Sequence, residues 1–126
     1  MTAGVMAVIC LCGGLGAACR FVLDTAVRRR WSTRMPWGTI LVNVSGSLLI
    51  GALAAAYAGD ALGARPYLVA GVGFCGGYTT FSTAMVETVR LAQDGDFRRA
   101  VVNVVGTTAV TCAAAASAYA AVTGLT

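Results

Sequence analysis

Apolar residues run along this chain in four long stretches that charged side chains do not enter. Asp, Glu, Lys and Arg are absent from residues 1–19, 35–59, 66–86 and 100–126. About 20 apolar residues, each rising about 1.5 Å along a helix, cross the hydrocarbon core of a bilayer. The pattern therefore predicts four transmembrane helices within one domain, residues 1–126, over about residues 4–26, 37–58, 67–90 and 99–122.

The composition also indicates a membrane protein. Charged residues make up 11% of the chain and its mean hydropathy is +0.78. That composition leaves too little polar surface to cover a soluble globule of this size. The first apolar run lacks a preceding basic segment and a convincing cleavage site, so we expect it to be retained as a span. The prediction is an all-α integral membrane protein surrounded by lipid.

Positive charge is concentrated in two of the three connections between spans. The net charge of +4 comes from arginines alone, since the chain has no lysine. The first and third connections together hold seven of them and the second holds only Arg65; the seven are Arg28, Arg29, Arg30, Arg34, Arg90, Arg98 and Arg99. Short arginine-rich loops stay in the cytoplasm. We therefore expect connections one and three inside, connection two and both termini outside, and no nucleic-acid partner.

Two polar residues in the first half of the chain are candidate functional groups, because a polar side chain inside a membrane normally faces protein or water. Arg20 lies late in the first span, with Asp24 four residues on. Arg20 either forms a salt bridge with Asp24, or extends its side chain to the membrane interface, or acts as an anion-attracting charge at the mouth of a pathway. Asn43 lies well inside the second span and offers two amide donors, either to another helix or to an anion.

The fourth span carries a further polar stripe. Asn103, Thr107 and Thr111 are spaced four apart and so lie on one face of a helix. Each threonine hydroxyl can simply bond back to the preceding turn. Three polar residues in register nevertheless favour a polar track through the membrane.

The third span contains the unusual segment GFCGGYTTFSTA, residues 73–84. Gly76 and Gly77 each lower helix propensity by about 1 kcal/mol relative to alanine, and the hydroxyls that follow compete for backbone hydrogen bonds. We therefore predict a break near the middle of this helix. Freed carbonyls there can ligate a small cation, while donors and the positive edge of the Phe81 ring face an anion. The alternative is a simple kink with ordinary packing.

Enzyme chemistry is not expected. The chain has no histidine, and no arrangement of nucleophile, base and orienting group is available within its spans. An uncharged path of donors favours passive anion permeation over carboxylate-driven proton coupling. Four helices enclose little space, and small-residue faces such as Gly13 with Ala17 and Ser47 with Gly51 suit close helix contact, so we expect an oligomer.

Three segments resemble one known family. GGLGAACRF, PWGTILVNVSGSLLIG and GFCGGYTTFST followed by Glu87 resemble the CrcB or Fluc fluoride channels over essentially the whole chain. The resemblance implies an antiparallel, dual-topology dimer of four-helix subunits in the cell membrane. It also implies passive exit of cytoplasmic fluoride, which protects bacteria from fluoride toxicity.

The resemblance assigns roles to individual residues. It implies a vestibule position for Arg20 and a structural, untransported Na⁺ held by the backbone carbonyls of Gly76 and Thr79. The pore-lining residues that it implies are Asn43, Phe81, Ser82, Thr83, Asn103, Thr107 and Thr111.

Two features depart from the family pattern. Ala84 stands where the motif usually has a second phenylalanine. In addition, connections one and three hold seven arginines and connection two holds one, which is far from the balance that a dual-topology homodimer needs. We therefore hypothesise pairing with a paralogous subunit of opposite orientation, and otherwise with a second copy of this chain.

Two other functions compete with a channel. A proton-coupled small multidrug exporter needs a membrane-embedded carboxylate early in the chain, and the first span has none. Glu87, near the end of the third span, is the only candidate, and placement at the interface or helix capping explains it better. A non-transporting structural subunit would use every polar residue for packing, and would need only a kink at the GGYTT segment.

Overall fold

The computed structural model describes residues 1–125, and all of its regular elements are helices. We number them α1 (Ala3–Arg30), α2 (Trp37–Ala58), α3 (64–78), α4 (Ser82–Gln93) and α5 (Phe97–Leu125). Helices α1, α2 and α5 are each long and apolar enough to cross a membrane. The third predicted span is divided between α3 and α4. The all-helical fold class is confirmed within the described residues.

Two of the helices contain a wider, π-helical segment. In α3 it is Leu68–Cys75, between Ala64–Tyr67 and Gly76–Tyr78, and in α5 it is Val102–Gly106. A π-helical turn hydrogen-bonds from residue i to i+5 and therefore shifts the side chains that follow around the helix axis, which is why such turns recur at functional sites. Both segments border the groove described below.

The third span is broken, as predicted, but the break does not lie at its glycines. Gly76 keeps helical angles, φ −61° and ψ −38°, and Gly77 also remains within α3. The chain leaves the helix at Thr79, where φ is −79° and ψ is 159°, and α4 begins at Ser82. Gly77 has a packing role instead, because a Cβ there would overlap the carbonyl oxygen of Gly13. Close contact with α1, rather than weak helix propensity, accounts for this glycine.

The small-residue faces are used within the subunit. Helix α1 meets α3 so closely that a Cβ on Gly16 would overlap the carbonyl oxygen of Phe74. Helix α2 meets α5 in the same way, with Gly51 against the backbone of Ala115. The expectation that such faces point to an oligomer is therefore not supported at Gly13 and Gly51, because helices of the same chain already occupy them.

The first and third connections lie at the same end of the bundle. Arg34 Nη1 is 3.5 Å from Asp96 Oδ2, which joins the two connections, and Arg28 Nη2 pairs with Glu87 of α4. All seven arginines of these connections are consequently at one end of the molecule.

We expect Gly16→Ala to destabilise the subunit, because overpacking a tight helix contact costs about 1–3 kcal/mol. Gly14→Ala is the matched control, since nothing lies within 4 Å of a Cβ at that position. Thermal unfolding in detergent should show a melting temperature several degrees lower for Gly16→Ala alone. Equal melting temperatures for the two variants would contradict the contact between α1 and α3.

Candidate ion pathway

The break in the third span is held by the side chain of Asn43. Asn43 Nδ2 donates to the Thr80 carbonyl at 2.8 Å, and the Thr80 N–H donates to Asn43 Oδ1 at 2.8 Å. A backbone N–H or C=O left without a partner in lipid costs several kcal/mol, and this pair satisfies both groups of one peptide residue. Asn43 therefore makes the interhelical hydrogen bond that was one of its two expected roles, and its second amide N–H remains for another acceptor.

Thr80 also starts the helix that follows the break. Its Oγ1 accepts a hydrogen bond from the Thr83 N–H at 3.2 Å and donates to Thr83 Oγ1 at 3.0 Å. An acceptor at this position satisfies one of the unpaired N–H groups of the first helical turn. Thr80, at 8% exposure, is thus fixed by α2 on one side and by α4 on the other.

Arg20 reaches the same break from α1. Its Nη1 donates to the Thr79 carbonyl at 3.4 Å. The salt bridge weighed for Arg20 and Asp24 is not formed; Asp24 instead accepts from Arg28 Nε at 3.0 Å. The reason is geometric, since Arg28 lies one turn beyond Asp24 toward the bundle end and also meets Glu87 there.

The two carbonyls expected to hold Na⁺ differ in their surroundings. In an unbroken helix the Gly76 carbonyl would accept from the Thr80 N–H, and that N–H is bound to Asn43 instead. The Gly76 carbonyl is therefore free to accept a cation, a use that unwound helices make of such groups. The Thr79 carbonyl faces a guanidinium. Gly76 fits a Na⁺ ligand, and Thr79 fits less well because Arg20 already supplies positive charge beside it.

A groove of about 340 Å³ runs beside the break, between α2, α3, α4 and α5. Because a water molecule takes about 30 Å³ of liquid, the groove has room for several waters or a partly hydrated ion. Seven of the predicted site residues line it: Asn43, Gly76, Thr79, Phe81, Asn103, Thr107 and Thr111. No residue lining it is charged. Phe81, which also lines the groove, is 77% exposed.

Most side-chain N–H and O–H groups in the polar stripe of α5 already donate hydrogen bonds within the protein. Asn103 Nδ2 donates to Thr88 Oγ1 at 2.8 Å, and Thr107 Oγ1 donates to Asn103 Oδ1 at 3.4 Å. Thr111 Oγ1 donates back to the Thr107 carbonyl at 2.8 Å, which is the common alternative for a helical threonine. Because these hydroxyl protons are engaged, a threonine of the stripe can donate to an anion only when its hydroxyl rotates.

Three predicted residues lie outside this groove. Arg20 and Thr83 line a second cavity, together with Asp24, Thr39 and Thr80. Ser82 is exposed and lines neither cavity. Thr80 lines both, so the broken peptide segment separates the two spaces.

Comparison with known proteins connects this geometry to a family. Residues 7–120 match the family model described as CrcB-like protein, Camphor Resistance (CrcB). The chain belongs to the CrcB family. It is similar to fluoride-specific ion channel FluC 2 of Cutibacterium acnes, with 54% identity over 67% of this chain and 69% of the relative. It is also similar to FluC 1 of Leifsonia xyli, at 44% identity over 84% and 77%, and to FluC 2 of Mycobacterium tuberculosis, at 42% over 91% and 88%.

Membership in the CrcB family confirms one expectation and removes one competing function. The family consists of ion channels, so this chain is not an enzyme. The small multidrug exporter is set aside for the same reason, and Glu87, the carboxylate that it would have needed, is engaged with Arg28 and Thr39.

Sequence reasoning missed three threonines that make hydrogen bonds near the groove or the break. Thr39 donates to Glu87 Oε1 at 3.0 Å, and Thr88 accepts from Asn103. Thr80 was treated as one hydroxyl in a run, although it holds the break together. The available signal was the predicted break itself, because the peptide groups beside it must find partners on another helix.

We expect Asn43→Ala to release Thr80, because the N–H and C=O of Thr80 both lose their hydrogen-bond partner. Each buried group left unsatisfied costs about 1–3 kcal/mol of stability. The Thr80 amide should then exchange with deuterium faster. Asn103→Ala is the control, since it removes an amide that bonds a side chain rather than the break. Unchanged exchange at Thr80 in Asn43→Ala would show that something else holds the break.

Proposed function

We propose that this chain is a subunit of a fluoride channel that lets cytoplasmic fluoride leave the cell passively and so limits fluoride toxicity. The names of its relatives support fluoride as the permeating ion. The observation that carries the proposal is the uncharged groove in which amide and hydroxyl groups stand beside the exposed residue Phe81. Amide N–H groups and ring edges present positive potential to an anion without a full positive charge.

A path without fixed charge suits conduction. An ion must bind well enough to leave water and weakly enough to move on. In the proposed pathway Asn43 contributes its second N–H, and Asn103 and Thr107 contribute donors by rotating away from their present partners. The Thr107 hydroxyl is the easiest to release, since its 3.4 Å hydrogen bond is the longest in the stripe. Thr111 extends the same stripe along α5.

Arg20 serves the entrance in this proposal. It lines the second cavity, where its guanidinium attracts anions, and it is kept at the break by the Thr79 carbonyl. Thr83 lines the same cavity and offers a hydroxyl. Ser82, exposed at the start of α4, is assigned to the surface that a second subunit covers.

The proposed assembly is an antiparallel dimer in the plasma membrane. Phe81 and Gly76 lie on the same open side of the groove and are exposed in the single subunit. A partner that covers this side would complete the walls of the pathway. For this chain the arginine distribution favours connections one and three in the cytoplasm and both termini outside.

A structural Na⁺ at the centre of the dimer is part of the same proposal. The Gly76 carbonyl, freed because Asn43 holds the Thr80 N–H, would be this subunit's main ligand. When bound, the ion would tie the broken segments of the two subunits together. No residue of the groove bears a carboxylate that would bind it more strongly.

We further propose that the natural partner is a paralogue. Ala84 lines the groove at 7% exposure, so the aromatic side chain usual at that position is missing from the wall of one pathway. The numbered names FluC 1, FluC 2 and FluC 3 among the relatives are consistent with families of more than one subunit. A paralogue with the opposite arginine bias would balance the topology of the pair.

The function is tested by ion efflux from liposomes that contain the purified protein, with its paralogue where one exists. We expect fluoride efflux, little chloride efflux, and loss of activity without Na⁺. Thr107→Val should slow fluoride roughly tenfold, the effect of about 1.4 kcal/mol from one lost donor. Ser117→Ala is the control, since this hydroxyl bonds back to Ala114 outside the groove. Equal rates for fluoride and chloride would contradict the proposal.

The paralogue is tested by reconstituting this chain alone and together with it. We expect slow efflux from the chain alone and fast efflux from the pair. Size-exclusion chromatography and circular dichroism would establish that the single chain is folded in both samples. Fast fluoride efflux from the chain alone would contradict the proposed heterodimer. It would still support the proposed fluoride channel.

A further inference from the structure

The two arginine-rich connections form one continuous surface. Asp96 accepts from Arg99 Nη1 at 2.6 Å and lies 3.5 Å from Arg34 Nη1, so it joins the third connection to the first. The hydrogen bond from Arg99 holds the pKa of the Asp96 carboxyl below its ordinary value. Asp96 is therefore ionised at neutral pH, and the link between the connections persists there.

This surface has more positive charge than the protein itself neutralises. Seven arginines lie at this end against four acidic residues, Asp24, Glu87, Asp94 and Asp96, whereas Arg65 and Asp60 balance each other at the opposite end. Arg28, Arg34 and Arg99 are paired. Within residues 1–125 the other four are exposed and form no ion pair: Arg29, Arg30, Arg90 and Arg98.

Exposed aromatic residues are close in sequence to three of these arginines, Arg29, Arg30 and Arg98. Trp31 directly follows α1 and is 52% exposed, Trp37 begins α2 at 42%, and Phe97 begins α5 at 66%. Both tryptophans of the chain are at this end. Indole rings prefer the headgroup layer of a bilayer, so we expect the two tryptophans and the arginines near them in sequence to lie at the depth of lipid phosphates. We name these six residues, Arg29, Arg30, Arg98, Trp31, Trp37 and Phe97, the basic aromatic surface.

We propose that the basic aromatic surface binds the headgroups of anionic phospholipids. Its charge is complementary to them, and a guanidinium can hold two oxygens of one phosphate at once. Each arginine near an anionic membrane surface contributes about 1 kcal/mol, or about fivefold in association. The proposal goes beyond topology, because a loop bias acts during insertion whereas this binding persists in the folded channel. It does not depend on which ion the channel conducts.

The two tryptophans make the test specific to this end. The purified protein is placed in phosphatidylcholine vesicles that contain either brominated phosphatidylglycerol or brominated phosphatidylcholine, and quenching of tryptophan fluorescence is measured. We expect phosphatidylglycerol to associate at least fivefold more strongly, and this preference to fall as salt rises. Equal quenching by the two lipids would overturn the proposal.

Variants locate the binding site. The triple variant Arg29→Gln, Arg30→Gln, Arg98→Gln should bring the preference for phosphatidylglycerol over phosphatidylcholine close to one. Arg65→Gln, at the opposite end, should leave this preference unchanged. If the triple variant does not fold, Arg30→Gln alone should lower the preference about fivefold. A preference that survives these substitutions and high salt would overturn the proposal. So would a preference abolished by inorganic phosphate at constant ionic strength, because the surface would then bind a free anion rather than a lipid.

Discussion

The amide of Asn43 paired with the peptide groups of Thr80 is the interaction on which the membrane interior of this protein depends. A helix cannot be interrupted in lipid unless the exposed peptide groups find new partners. One primary amide supplies a donor and an acceptor at the correct spacing, and so replaces the missing helical hydrogen bonds. Everything near the break follows from this, including the free Gly76 carbonyl, the start of α4 and the position of Phe81.

The hydroxyl protons along α5 and at Thr88 already have acceptors within the protein. Asn103 donates to Thr88, which donates to the Ala84 carbonyl, and Thr111 donates to its own helix. Such an arrangement is stable in a low-dielectric interior, where unsatisfied groups are costly. It also means that these hydroxyls can donate to a further group only by exchanging a hydrogen bond that they already make.

Much of this architecture was predictable from the sequence. The charge-free runs located three long helices, and the combination of glycines and hydroxyls indicated a break in the remaining span. Spacing by four placed Asn103, Thr107 and Thr111 on one face. The sequence could not show that Gly77 serves contact with Gly13, nor that Asp24 would pair with Arg28 rather than Arg20. Those choices depend on which helices become neighbours, and local pattern carries no information about that.

The backbone contact between α1 and α3 has a consequence for electrostatics. Gly16 and Gly77 leave no side chains between the two helices, so their separation is set by main-chain atoms that cannot change rotamer. Arg20 lies one turn beyond Gly16 and reaches Thr79, two residues beyond Gly77. The distance of that positive charge from the break thus depends on two residues without side chains. In this protein, two glycines allow the close helix contact that brings an arginine to the break.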